Sequence, residues 1–269
     1  MIPFTPPALP VPMPPVKPIH KRMGIRMGGC EKPLEEIISQ HIKAIKQAGV
    51  NRPYTLVEIG SAGCVTLRAF KDIITENAGD HPWRVFGFDL TEEKAWSLDW
   101  DEIHKAFDGT PHILREQHLT EGEGLVSYPD NQMYLVLLDS PRLYIQDAFP
   151  FPIDFVFIDG SHGRSCALDF LAIEKKMAEG GVVVFHDYGE AETGTDWQTV
   201  DREFINVRTY VHRLGLASPC NEVRKGWRFV GEIKGSRTRG GDGNSAAVVQ
   251  RTGEPLVEQP ELSLERVII

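Results

Sequence analysis

The chain repeats one pattern, a short run of apolar residues followed by a longer stretch of helical character. The runs at residues 54–59, 83–88, 134–138, 154–158 and 182–185 are rich in Val, Ile, Leu and Phe and read as buried strands. Segments 65–77, 164–177 and 197–214, after the first, fourth and fifth runs, carry helical character. Few folds accept this alternation. Parallel strands cannot be joined by tight turns, so each pair takes a crossover helix, and the finished sheet is covered on both faces. The expectation is an α/β, Rossmann-like, doubly wound fold with a mostly parallel seven-stranded sheet and helices on both faces. Residues 227–233 (WRFVGEI) read as an antiparallel last strand at the far side. A helix precedes the first strand over 32–48, where Leu34, Ile37, Ile38, Ile42 and Ile45 share a face before Gly49.

Flanking segments differ in character. Residues 1–31 form a proline-rich arm and basic loop; eight of the nineteen prolines fall in residues 1–19, which excludes helix and central strand there. The main α/β domain is expected over 32–234, with 91–133, rich in Asp, Glu, His and Trp, as an insertion. From 235 to 269 a glycine- and charge-rich start suggests a flexible C-terminal tail. The arm and the tail are the segments through which a homo-oligomer would assemble.

Composition narrows the partners. With 41% hydrophobic and 25% charged residues the chain can build a core without disulfides, and its four cysteines show no CxxC spacing. A net charge of -9 speaks against a broad nucleic-acid surface. No stretch approaches the roughly 18 uncharged apolar residues that span a membrane. A cytoplasmic protein acting on a small molecule, with no nucleic acid and no membrane partner, is the reading.

In an open α/β sheet, ligands bind beyond the carboxyl ends of the strands. The first run delivers Glu58, then Gly60, Ser61, Ala62 and Gly63 before a helix, a turn whose small residues let backbone approach a ligand. The second ends at Asp89, placed to accept ribose hydroxyls or to cap the segment that follows. The third ends at Asp139 and Ser140. The fourth ends Asp159-Gly160-Ser161-His162 and the fifth His186-Asp187-Tyr188. Aspartates at two strand ends in one cleft are costly unless a cation joins them, or unless they cap the helices that follow.

VEIGSAG, GFDL, LLDS, DFVFIDGSHGRSCALDF and AEGGVVVFHDY resemble, in order, the motifs of class I S-adenosylmethionine-dependent methyltransferases. The last two resemble the branch that includes catechol O-methyltransferase-like enzymes, macrocin O-methyltransferases and cephalosporin-hydroxylase-type proteins. The resemblance covers about residues 50–235. It implies S-adenosylmethionine as cosubstrate, with Glu58, Gly60, Ser61 and Ala62 around its methionine portion, Asp89 on the ribose, and Asp139 with Ser140 beside the adenine. It further implies that Asp159 faces the methionine amine and a metal such as Mg2+, with Asp187 a second ligand and His186 a third. Metal-dependent members usually place Asp, Glu or Asn in that third position, and His186 departs from this. His162 or His186 would take the acceptor's proton. The implied activity is O-methylation of a small hydroxyl-bearing metabolite. Two alternatives stay open. One is a methyltransferase-like domain kept for binding and assembly, suggested by Cys64 where the family places a glycine and by the departure at His186. The other is a nicotinamide-dependent oxidoreductase, against which Ala62 and Val65 replace two glycines of GxGxxG.

Overall fold

The computed structural model describes residues 31–92, 94, 98–108, 111–120, 128–160, 164–188, 207–217, 224–234 and 245–256. The arm at 1–30, His162 and the last residues of the chain lie outside them. The elements run α1 (Glu31–Gln47), β1 (Tyr54–Ile59), α2 (Val65–Ala78), β2 (Trp83–Leu90), α3 (Trp100–Ala106), β3 (Ile113–Arg115) and α4 (Glu116–Thr120). They continue through β4 (Gln132–Leu138), α5 (Pro141–Asp147), β5 (Ile153–Ile158), α6 (Arg164–Ile173), β6 (Met177–Phe185), α7 (Val207–Arg213), β7 (Trp227–Lys234) and β8 (Ser245–Arg251).

One sheet joins all the strands in the order β3-β4-β2-β1-β5-β6-β8-β7. From β3 to β6 every pairing is parallel, whereas β8 runs antiparallel to both β6 and β7. The sheet therefore has eight strands rather than the expected seven. The antiparallel strand is β8, and β7 runs the same way as β6. Two sequence expectations change with this. The insertion supplies the short edge strand β3, and residues 245–251 of the expected tail are a sheet strand, buried at every position but Arg251. The segment SAAVVQR is a natural strand once covered on both faces, but its glycine-rich approach conceals it.

Side chains alternate between two cores, as period-two strands require. Val57, Phe86, Val156 and Val183 face α5, α6 and α7, while Leu56, Val85, Phe155 and Val182 face α1, α2 and α3. The first core is aromatic: Phe86 stacks on Tyr134 at 5.3 Å and meets Phe149 edge-on at 5.3 Å. Strand order reverses at β1, with β2 on one side and β5 on the other. The crevice beyond the carboxyl ends of β1 and β5 is thus the place this topology offers to a ligand.

Candidate functional site

At that crevice two loops touch. Gly60 follows β1 with φ +91°, and a Cβ there would lie 2.4 Å from Gly160 Cα and 2.7 Å from the Asp159 carbonyl. No side chain fits. Backbone bonds align the four central strand ends: Gly60 N–H to Phe88 O at 2.9 Å, Asp159 N–H to Ile59 O at 2.9 Å, and His186 N–H to Ile158 O at 3.0 Å.

The turn continues with Ala62 at φ 40° and Cys64 at φ 59°. Left-handed backbone is strained for residues with a Cβ, by about 1–3 kcal/mol each, and such strain gathers at functional sites. Cys64 thus holds the conformation a glycine would adopt, as a buried residue capping α2. The pKa of its thiol is pushed upward, first by burial and then by the charge of Glu58, which disfavours the thiolate. The substitution changes the residue and keeps the turn.

Asp89 reaches across to this turn. One carboxylate oxygen accepts the Ala62 N–H at 2.8 Å and the other accepts the Leu90 N–H at 2.8 Å. A carboxylate has about four lone-pair positions, so acceptor capacity remains for a ligand. Asp139, by contrast, stands on the rim and is exposed. Lys94 first and then Thr91 hold its carboxyl below the usual range, through contacts of 2.8 Å each. Ser140 caps α5 by position only, without a side-chain bond.

On the other side of the turn, β5 and β6 bring together Asp159, His186 and Asp187, whose ligand-type atoms all lie within 4.8 Å of one another. His186 Nδ1 is 2.7 Å from Asp159 Oδ1 and 3.5 Å from Asp187 Oδ1. Asp187 has φ 54°, a third strained position. Burial disfavours a charged imidazole here, but the bonds to Asp159 and Asp187 outweigh it and lift the His186 pKa to about 10. Of the two histidines read as bases, His186 lies within this acidic cluster, and His162 lies outside the described residues.

Glu58 completes the group. It is 1% exposed, and among the described residues its Oε2 and His186 Nε2 meet no hydrogen-bond partner, while Ser61 is a polar side chain acting on its carboxyl. Burial, then the charge of Asp159, raises its carboxyl well above the usual range.

Several neighbours escaped the sequence reading. Arg142 of α5 donates to the buried Asp169 of α6 at 2.5 Å, and a Cβ on Gly160 would sit 3.6 Å from that same carboxylate. The Tyr188 hydroxyl is 2.9 Å from His212 Nε2, and Arg208 lies 4.6 Å over the Tyr188 ring. An aspartate amid apolar residues in ALDF is the one sequence signal among these.

Residues 57–188 match the model of a protein family described as a methyltransferase domain. No curated protein matches the chain. Among solved structures, an O-methyltransferase from Bacillus cereus in complex with SAH shares 14% identity, with 82% of this chain and 80% of that chain covered, at a TM-score of 0.52. The O-methyltransferase TomG from Streptomyces achromogenes, involved in tomaymycin synthesis and in complex with SAM, shares 16% identity, with 82% and 80% covered, at a TM-score of 0.49. At such identities the Bacillus cereus likeness establishes a common fold.

Proposed function

We propose, on the premise of the match of residues 57–188 to a methyltransferase-domain family, that the protein is a class I, S-adenosylmethionine-dependent enzyme that methylates a hydroxyl oxygen of a small polar acceptor beside a divalent cation. The observation that carries this reading is the juxtaposition at the β1–β5 crevice. A strained turn at 60–64 has Asp89 bonded to it on one side and Asp159, His186 and Asp187 gathered on the other.

In this reading the turn's backbone approaches the methionine portion of the cosubstrate, and the remaining lone pairs of Asp89 take the ribose hydroxyls. Asp139 and Ser140 border the adenine at the rim. A methionine ammonium beside Glu58 and Asp159 would remove the repulsion between those two carboxyls. The three clustered groups and the unpartnered Glu58 oxygen fit a cation. A divalent ion there would lower the pKa of the acceptor hydroxyl and orient its oxygen.

The transfer is a displacement. The acceptor oxygen forms a bond to the methyl carbon as the carbon–sulfur bond breaks, leaving a neutral thioether, and the hydroxyl proton passes to a base. We assign that base to His162, which lies in the sequence between β5 and α6. The chain supplies position and charge, since the sulfonium already activates the methyl group.

Calorimetry tests the premise directly. S-adenosylmethionine should bind with a micromolar-range Kd typical of small cosubstrates (about -8 kcal/mol), and NAD should give no heat. The absence of S-adenosylmethionine binding at millimolar concentration would remove the function, and NAD binding would favour an oxidoreductase.

A further inference from the structure

We infer that the cation site is built for a first-row transition ion that takes an imidazole ligand, the Mn2+, Fe2+, Co2+ or Zn2+ class, and that it discriminates against Mg2+; this rests on reading Asp159, His186 and Asp187 as a cation site.

Asp187 has two chain neighbours, and the structure decides between them as the third ligand. Tyr188 is committed elsewhere. Its hydroxyl is 2.9 Å from His212 Nε2, its ring lies under Arg208 at 4.6 Å, and its N–H donates to Ser245 O at 3.0 Å. His186 is committed inward. Its ring packs on Phe157 with centroids 5.5 Å apart, its N–H is fixed to Ile158 O, and Nδ1 stands 2.7 Å from Asp159. The left-handed backbone at Asp187 accompanies this arrangement, in which side chains 186 and 187 both approach Asp159.

The donor set is therefore oxygen, nitrogen, oxygen. Mg2+ demands near-octahedral oxygen coordination and gives up water reluctantly. Imidazole suits Fe, Ni, Cu and Zn, and affinity rises along the first-row series from Mn2+. A second, independent observation calls for positive charge at this place. Glu58, nine-tenths buried and more, lies on β1 in register with Phe157 of β5, and among the described residues its Oε2 has no hydrogen-bond partner. Packing of the imidazole against Phe157 means the nitrogen is pre-placed rather than recruited.

The full-length chain, stripped with a chelator, is titrated with Mg2+, with Mn2+ followed by its electron paramagnetic resonance signal, and with Co2+ followed by visible absorption. Wild type, His186→Asp and Tyr188→Phe are compared, with S-adenosylmethionine calorimetry and a thermal melt on each. Wild type should hold Mn2+ and Co2+ at least about tenfold more tightly than Mg2+. His186→Asp should erase that ratio and shift the Co2+ bands, and Tyr188→Phe should leave both unchanged. Equal affinity for Mg2+ and Co2+ in wild type overturns the inference, even where His186→Asp fails to fold. So does an unchanged ratio in a folded His186→Asp protein. Cosubstrate binding without any cation binding also overturns it while leaving the methyltransferase reading intact. Discrimination among cations without cosubstrate binding supports the site and removes the methyltransferase reading instead.

Discussion

At its N-terminal end β5 carries Asp154 and at its C-terminal end Asp159, and the two aspartates sit in opposite company. Asp154 is 1% exposed and fully engaged. Arg52 grips it with two bonds of 2.6 and 2.7 Å, and the Thr55 N–H adds a third at 2.9 Å. Asp159 has His186 for a partner, and near it Glu58 Oε2 and His186 Nε2 are buried without a partner among the described residues. Each unmade bond costs on the order of 1–3 kcal/mol. One end of the strand is closed by an ion pair; the other gathers buried polar atoms without partners among the described residues. On the proposed function, stability and ligand capacity are divided between the ends of one strand.

The sharpest way to break this comparison is to exchange the expected consequences. Arg52→Ala strands a buried charge and should cost about 3–5 kcal/mol, lowering Tm in a thermal melt by roughly 10 °C, with S-adenosylmethionine affinity unchanged. Asp159→Asn should do the reverse: a loss of about tenfold or more in cosubstrate affinity by calorimetry, roughly 1.4 kcal/mol, with Tm held or raised. If Asp159→Asn destabilises like Arg52→Ala, the division between the ends is wrong.

The smallest effect lies in pH. The Glu58 carboxyl is raised in the folded state above its ordinary 4.5. Across the window from 4.5 up to that raised value the folded chain holds more protons than the unfolded one, so stability falls as pH rises. Glu58→Gln should flatten this slope in ligand-free denaturant titrations from pH 4 upward. A slope shared by variant and wild type would mean that Glu58 does not carry the charge frustration assigned to it.

Legibility in the sequence followed the same division. Asp89, Asp159 and Asp187 could be read because an acid that ends an apolar strand has few structural excuses, and the strand-helix rhythm placed those ends together. Asp154 gave no such signal, since its partner Arg52 lies 102 residues away in a segment without motif. β8 was hidden because its alanines and valines follow a glycine-rich run, and β3 because three residues carry no period. The placing of His186 was equally invisible: a sequence shows an imidazole near carboxylates, but only the structure shows Nδ1 at 2.7 Å from Asp159. Asp139 and Ser140 were correctly placed at a strand end, yet only the structure shows them out on the rim.

The contact of Gly60 with Gly160 has a mechanical consequence. The two halves of the sheet meet there without a side chain between them, so a shift of the turn after β1 would press directly on the backbone of Asp159 and Gly160. Tolerance at this joint is one-sided. A methyl group on Gly160 would meet its nearest neighbours at an ordinary 3.6 Å, whereas one on Gly60 would drive into backbone at 2.4 Å. Variation can therefore enter the joint from the β5 loop, while the β1 side is held to a single hydrogen atom.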